Sequence, residues 1–389
     1  MIKQLPKRLL SIDVLRALTM LLMIFVNDAS GVSYVPAWLD HAKEYEDGMG
    51  FADTIFPSFL FIVGLSLPFA IKNRLKKGDT FLQVSFYILT RSAALLIMGF
   101  YHVNMEEYNS ASYLSSDVWE LIVTICFFLI WLDYPETMAK AKKYSLMGIG
   151  LAVLIVMAIL YKGGDTAHGM RPSWWGILGI IGWSYLVCAF VFLVFKGNLK
   201  LMFGVWLLFA LINIGCHSGL IPFNFWVIGD ASSVTLTMGG IVISGVYAML
   251  VEKDKTQRIW LLFAAAGIFL IALGLFIRPY TEGISKIRST PAWIFICSGI
   301  TILAFEVFIY LVDVKGKINY FKAIRPAGTS TLTCYLIPYI QISLYGILHV
   351  HYLKFMSTGV SGLCCSMVTA FIIIALVGQM EKIRLRLKV

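Results

Sequence analysis

Ionisable side chains occur within the long apolar segments of this chain, where a charge is expensive and usually serves a function. The first apolar segment carries Asp13 and Arg16, three residues apart, so the two share one face of a helix. Asn27 follows Arg16 by eleven residues, which is almost three full turns and the same face. Arg91 stands in the middle of the third apolar segment and cannot face lipid cheaply. We therefore predict a polar face along the first helix and a buried arginine that points into a helix bundle.

Both features have structural alternatives. Asp13 and Arg16 could form a pair that fixes helix packing at one end of the first span. Arg91 could bind an anionic ligand, or it could pair with an acid such as Asp13, Glu120 or Glu306. The buried charges would also suit the ion path of a secondary transporter, although transporters often contain paired repeats and no internal repeat is visible here.

The loop after the first apolar segment is acidic and rich in aromatic residues, which suits a sugar or a cationic amine. Ordinary aromatics at a membrane interface are the alternative. The next apolar segment opens with Asp53, which we predict to cap a helix N-terminus. The loop carries Asp40, His41, Glu44, Glu46 and Asp47 among Tyr34, Trp38 and Tyr45.

Composition indicates the elements that must position these residues. Apolar residues make up 59% of the chain and charged residues 14%, whereas a soluble domain carries about 25% charged residues. A helix needs about 20 apolar residues to cross a bilayer, and the long runs lack the alternation of a membrane barrel. We predict an all-α, polytopic transmembrane helix bundle that forms a single domain, residues 1–389. The predicted spans are 10–30, 52–71, 81–101, 117–133, 144–161, 174–195, 200–215, 231–251, 258–277, 291–312, 327–348 and 357–380.

The number of spans follows from the length of the apolar segments, and their direction follows from the charge of the loops. Twelve segments are predicted to cross the membrane, but the seventh is short and the eleventh is polar, so ten or eleven crossings are the alternative. With the N-terminus inside, 23 of the 32 basic residues fall in inner segments and seven in outer segments. Because inner loops are enriched in Lys and Arg, both termini are predicted to be cytoplasmic.

The charge and cysteine patterns exclude other classes of site. The net charge of +10 comes from short basic clusters between apolar runs, which does not predict nucleic-acid binding. The seven cysteines are scattered without a CxxC pair, and no spacing of ligands predicts a metal. The N-terminus is similar to a signal peptide, but Asp13 and Arg16 interrupt its apolar run, so we predict a retained first helix.

Several motifs carry a resemblance to known enzymes. The run "RLLSIDVLR" (8–16) at the first span resembles the transmembrane acyltransferase superfamily. The following motifs resemble one branch, the heparan-α-glucosaminide N-acetyltransferase family and its bacterial relatives, whereas residues 105–285 match it weakly. These motifs are "MLLMIFVNDASG" (20–31), "DHA" (40–42), "FADTIFPSFLFIVGLSL" (51–67), "TPAWIFICSGITILAF" (290–305), "LVDVKG" (311–316) and "PAGTSTLTCYLIPY" (326–339).

The resemblance implies an enzyme that transfers an acetyl group from cytoplasmic acetyl-CoA to an amino sugar across the membrane. It implies that His41 is the catalytic histidine and that Asn27 belongs to the site. The larger O-acyltransferase branch has a histidine eleven residues after the first-helix arginine, where this chain has Asn27. The difference favours the amino-sugar branch, while a hydroxyl of an exported glycan or a lipid-linked sugar stays open as the acceptor.

On this basis His41 would act as a general base, because imidazole titrates near pH 6.5, and Asn27 would stabilise the oxyanion. Asp40 or Asp53 would orient the imidazole, and an acetyl-histidine intermediate stays an alternative to direct transfer. We predict that the acceptor binds at Asp40, Asp53, Trp38 and Arg91. Acetyl-CoA is predicted to bind basic and polar residues near the inner surface and along the first helix, namely Lys7, Arg8, Asp13, Arg16, Arg74, Lys77 and Arg325.

The sequence gives fewer indications of the organism of origin and of the oligomeric state. The compact chain without an N-x-Ser/Thr sequon or a cleaved leader favours a bacterial inner membrane. A homodimer is compatible with the sequence, although no segment defines its interface.

Overall fold

A computed structural model describes residues 9–350 and 353–389, and within these ranges the regular secondary structure is entirely helical. Two predicted cofactor-binding residues, Lys7 and Arg8, lie outside the described residues. The described helices are α1 (Leu10–Ala29), α2 (Ala52–Lys76), α3 (Phe81–Glu106), α4 (Ser116–Trp131), α5 (Lys140–Leu160), α6 (Ile177–Val194), α7 (Leu199–His217), α8 (Ser232–Glu252), α9 (Arg258–Ile277), α10 (Pro291–Phe308), α11 (Arg325–Thr329), α12 (Thr331–Ile347) and α13 (Gly359–Lys382).

Each predicted span corresponds to a helix, with α11 and α12 together filling the eleventh. Ten helices are long and apolar enough to cross a membrane, including α7, which we expected to be short. The three others are α4 with 16 residues, α11 with 5 residues and α12 with 17 residues. The all-helical membrane fold is therefore confirmed, while the count of twelve crossings stays a prediction.

The connecting segments form two separate groups at opposite ends of the bundle. At one end Ser33 donates from its backbone N–H to the carbonyl oxygen of Ser357 at 2.9 Å. At the other end the Leu10 N–H donates to the Asp313 carboxylate at 2.9 Å. We call the first the His41 end, because it holds the loop 30–51, and the second the basic end, where α2 and α13 finish. Assignment of the basic end to the cytoplasm stays a prediction.

Helix α2 is held in place by a close crossing with α8. A Cβ atom added at Gly64 would lie 1.9 Å from the Thr237 carbonyl oxygen, and one at Gly240 would lie 2.0 Å from the Phe61 carbonyl oxygen. Only glycine permits two backbones to approach this closely. The crossing fixes the helix that carries Asp53 in its first turn.

Candidate active site

A histidine and a buried carboxylate form a close pair at the His41 end. The Nδ1 atom of His41 lies 2.6 Å from the Oδ1 atom of Asp53. The Asp53 side chain is 1% exposed, whereas the His41 side chain is 33% exposed. A fixed, buried carboxylate therefore stands behind an imidazole that still reaches solvent.

Backbone donors hold the carboxylate of Asp53 from the opposite side. Its Oδ2 atom accepts hydrogen bonds from the N–H groups of Ala42 and Gly50, each at 3.0 Å. The Trp293 indole also donates to the Asp53 carbonyl oxygen at 3.0 Å. The prediction that Asp53 caps α2 is wrong, since Phe51 occupies the cap position and makes no side-chain cap bond. The Asp53 side chain instead organises the loop that carries His41.

Gly50 is required by the path of this loop. An added Cβ would lie 1.8 Å from the Asp40 carbonyl oxygen, which is backbone and cannot turn aside. Gly50→Ala is therefore expected to destabilise the protein by about 1–3 kcal/mol, the usual cost of forced overpacking, and to displace His41. Thermal unfolding in detergent measures the effect. Gly48→Ala is the matched control, because nothing lies within 4 Å of its added Cβ, and an equal loss in both variants would contradict this explanation.

The geometry determines how the pair could act. An ionised carboxylate can only accept, so the short contact places the imidazole proton on Nδ1. The Nε2 atom is then the free acceptor, which is the tautomer a general base requires. The arrangement can remove a proton from a nucleophile that approaches from the His41 end.

The other residues predicted around His41 have more exposed positions. Asp40 accepts from the His41 backbone N–H at 2.7 Å, so it contacts the main chain while Asp53 contacts the ring. Trp38 is an exposed side chain on the same loop. Asn27 is exposed at the end of α1, and in the described part of the chain no hydrogen bond joins its amide to His41. The oxyanion role of Asn27 stays a prediction.

A cavity of about 460 Å³ lies among α1, α2, α3, α6, the α11–α12 segment and the C-terminal residues. On α1 it is lined by Arg16, Met20 and Met23, and Asn27 is the next residue at helical spacing. Arg16 and Asn27 thus lie on one side of α1, and the residues between them on that side are the apolar Met20 and Met23. The main cationic and aromatic lining residues are Arg16, Arg91, Arg386, Lys388, Tyr87, Tyr185 and Tyr335.

Arg91, which we predicted to bind the acceptor, lines this cavity apart from Trp38, Asp40 and Asp53. It pairs with none of the predicted acids Asp13, Glu120 and Glu306. Its Nη1 atom donates to the Tyr87 hydroxyl at 3.3 Å and to a main-chain oxygen of Val389 at 3.1 Å. Its guanidinium carbon lies 5.2 Å from the centre of the Tyr185 ring. Glu120 instead accepts from Ser343 at 2.9 Å. The buried Nε atom of Arg91 has no hydrogen-bond partner among the described residues, so the guanidinium retains a free donor.

The predicted pair on α1 is present at the basic end. Arg16 lies 3.4 Å from the Asp13 carboxylate and donates to the Gly328 carbonyl oxygen at 3.3 Å. Arg16 therefore stands at the meeting point of α1 and α11. The remaining predicted cofactor residues do not line the cavity: Arg74 pairs with Asp79 at 3.1 Å, and Lys77 and Arg325 are exposed.

The sequence reasoning missed two cations that line the cavity, Arg386 and Lys388. Both contact Asp133 after α4, at 3.1 and 3.2 Å. Burial alone would raise the pKa of Asp133, but the hydrogen bonds from Arg386 and Lys388 hold it below its usual value. The dense basic cluster at residues 382–388 was the available signal, although it was interpreted only as a marker of orientation.

The structure is that of a helical integral membrane protein. A histidine–carboxylate pair lies at one end of its helix bundle, and a cavity lined by cations reaches the other end. Comparisons with known proteins show that part of this chain resembles one family. Residues 8–108 match the family described as "Heparan-alpha-glucosaminide N-acetyltransferase, catalytic". The human heparan-alpha-glucosaminide N-acetyltransferase is 34% identical over 100 residues, 26% of this chain and 14% of that protein. The mouse protein is 33% identical over 97 residues, 25% of this chain and 14% of its own.

These matches confirm the resemblance for α1 to α3 and the loop between the first two helices. They include Asn27, His41, Asp53 and Arg91. The matched segment spans about one seventh of the curated relatives, with 14% of each covered. The motifs at residues 290–339 lie outside it, so their resemblance stays a prediction.

Proposed function

We propose that this chain is a membrane-embedded acetyltransferase that moves an acetyl group from acetyl-CoA to an amino sugar. The donor enters from the basic end and the acceptor from the His41 end. The observation that carries the proposal is the His41–Asp53 pair at 2.6 Å, on a segment similar to the N-acetyltransferase family. A protein that resembles this family could also acetylate a sugar hydroxyl, so the identity of the acceptor is tested separately below.

The proposed reaction uses His41 as the proton carrier. The amine nitrogen loses a proton to Nε2 of His41 and attacks the thioester carbonyl carbon. The tetrahedral intermediate collapses, the carbon–sulfur bond breaks, and the thiolate of CoA takes the proton from the imidazolium. Asp53 stabilises the imidazolium that forms between these steps, in the manner of a catalytic triad.

The cavity supplies features that suit the donor. Acetyl-CoA is polyanionic at one end, and Arg16, Arg91, Arg386 and Lys388 are cations around the cavity. The free Nε donor of Arg91 and its neighbouring tyrosine rings suit a phosphate or an amide of the pantetheine arm. From Arg16 to Asn27 the α1 axis rises by about 16 Å, which is the distance that the pantetheine arm would span between a phosphate near Arg16 and a thioester near Asn27.

The loop at the His41 end supplies features that suit the acceptor. Asp40, Glu44 and Glu46 are exposed acids, and an amino sugar arrives as a cation. Trp38 is 69% exposed, which leaves its ring free to pack against a sugar. The acidic loop would raise the local concentration of the ammonium form. The ammonium group releases one proton to solvent to give the neutral amine, and His41 takes the second proton as that amine attacks the thioester.

Purified protein in detergent tests the proposal with acetyl-CoA and glucosamine. Release of free CoA thiol together with N-acetylglucosamine is the expected result. N-acetylglucosamine as the acceptor is the control, since its nitrogen is already acylated. O-acetylated product from this control would identify a hydroxyl acceptor, and no CoA release with any sugar would reject the enzyme in favour of a transporter.

Arg91→Met is expected to weaken acetyl-CoA binding by about 10- to 100-fold, because a charge-assisted hydrogen bond contributes about 1.5–3 kcal/mol. Isothermal titration of the purified variant with CoA measures the change. Lys142→Met is the control, since Lys142 is an exposed cation near the start of α5 and its loss removes equal charge. Equal affinities for the wild type and Arg91→Met would remove Arg91 from the donor site.

A further inference from the structure

A third ionic group stands behind His41. Lys286 belongs to the loop between Tyr280 and Pro291, and its Nζ atom lies 3.2 Å from Nδ1 of His41. The same atom lies 3.9 Å from the Oδ1 atom of Asp53. Burial lowers the pKa of Lys286, and the charge of Asp53 acts in the opposite direction. The lysine therefore reaches the pair from a segment 245 residues away in the sequence.

Several bonds hold the Lys286 loop against the His41 loop. The Asp47 carboxylate accepts from the Ile284 N–H at 2.7 Å, and Gly48 donates to the Ile284 carbonyl oxygen at 3.0 Å. Ser285 donates from its hydroxyl to the Glu44 carbonyl oxygen at 3.2 Å. The two residues that precede Lys286 are thus fixed against the His41 loop.

Lys286 and Asp53 cannot both form a hydrogen bond with Nδ1. A carboxylate requires a proton on Nδ1, whereas an ammonium has only donors and requires a free electron pair there. The Asp53 contact is shorter, at 2.6 Å against 3.2 Å, and two backbone amides fix its carboxylate. Asp53 therefore keeps the hydrogen bond, and Lys286 acts on the ring through its charge.

The charges around His41 oppose one another. Asp53 on α2 and Asp40 on the loop favour the imidazolium of His41, while Lys286 disfavours it. The thiol of Cys297, on α10, lies near Lys286 and Asp53. We infer that Lys286 is a positioning residue whose positive charge disfavours the imidazolium of His41 and so favours the neutral, proton-accepting imidazole. The inference rests on the proposed function, because only a general base needs to start neutral.

The pH dependence of kcat/KM tests this role in the purified protein. A charge within about 4–6 Å shifts a titration by 1–3 pH units, so Lys286→Met is expected to move the acidic limb upward by about one unit. Its rate should approach the wild-type rate at alkaline pH, where His41 is neutral in both proteins. Lys286→Arg retains the positive charge, so the acidic limb of its pH profile should coincide with that of the wild type. Arg288→Met removes a cation from the same loop, and its acidic limb should also coincide with that of the wild type, even if its rate is lower.

A second measurement does not depend on turnover. Diethyl pyrocarbonate modifies neutral imidazole, so its rate with His41, obtained by subtracting the rate for His41→Gln, follows the protonation of His41. Lys286→Met should shift this curve upward as well. A shift in a protein without acetyl transfer would support the role of Lys286 and reject the proposed function. Identical curves for wild type and Lys286→Met, or a kcat/KM lowered equally at every pH, would overturn the inference.

Discussion

His41→Gln is expected to lower kcat for acetyl transfer by about 10³-fold, within the range that general base catalysis contributes. Glutamine has a similar size, but its amide cannot accept a proton near neutral pH. Because His41 lies on a loop and is partly exposed, the variant should fold and should bind acetyl-CoA with unchanged affinity. The measurement is CoA thiol release with glucosamine, together with CoA titration of the same preparation.

His349→Asn is the matched control for this experiment. His349 is an exposed histidine in the loop after α12, at the same end of the bundle. Its backbone is left-handed, with φ at 51°, and asparagine tolerates that conformation. Wild-type turnover in His41→Gln would remove His41 from the reaction, whereas loss of turnover in both variants would point to a general effect of histidine replacement.

Asp53→Asn is expected to lower kcat by about 10²- to 10⁴-fold, as replacement of the orienting carboxylate does in a catalytic triad. The amide can donate to Nδ1, which would favour a proton on Nε2 and block the base. Its oxygen can still accept from Ala42 and Gly50, so the loop retains its bonds. The variant should therefore lose kcat without losing affinity for CoA.

Asp47→Asn provides the comparison on the same loop. Asp47 is a half-exposed carboxylate that contacts Arg278 at 2.9 Å and the Ile284 N–H, away from the imidazole. Burial alone would raise the pKa of Asp47, but these hydrogen bonds lower it, so the carboxylate stays ionised at neutral pH. The amide oxygen of Asp47→Asn can still accept from the Ile284 N–H, which keeps the Lys286 loop in place, so the replacement should leave kcat within a few-fold. A normal kcat in Asp53→Asn would contradict the role of the buried pair.

The helices could be predicted well because apolar length leaves few alternatives in a membrane. The spacing of Arg16 and Asn27 puts both on one side of α1, since helical periodicity is a local property. Met20 and Met23 lie between them on that side, so it is polar only towards its two ends. The break at Ser330 between α11 and α12 was not predicted. That segment is polar, and its path depends on α1, where Gly328 packs against Asp13.

The arrangement around His41 was only partly predictable. Asp40 and Asp53 were both reasonable partners, and the choice depends on the turn at Gly50, which periodicity does not describe. Lys286 could not be predicted as a neighbour, because two loops 245 residues apart meet only after the bundle has assembled.

The partners of Arg91 were missed for a related reason. Its contacts are a main-chain oxygen of Val389, the Tyr87 hydroxyl and the Tyr185 ring, and none of these is the acidic side chain that a sequence suggests as a partner.

In the proposed function, donor and acceptor reach His41 from opposite ends of one bundle. Vesicles that contain the reconstituted protein test this arrangement, with acetyl-CoA labelled in its acetyl group sealed inside and a glucosamine oligosaccharide that cannot cross the bilayer outside. Labelled oligosaccharide is expected in the external medium for the wild type, and none for His41→Gln. Labelled product that forms only when both substrates are on the same side would contradict it.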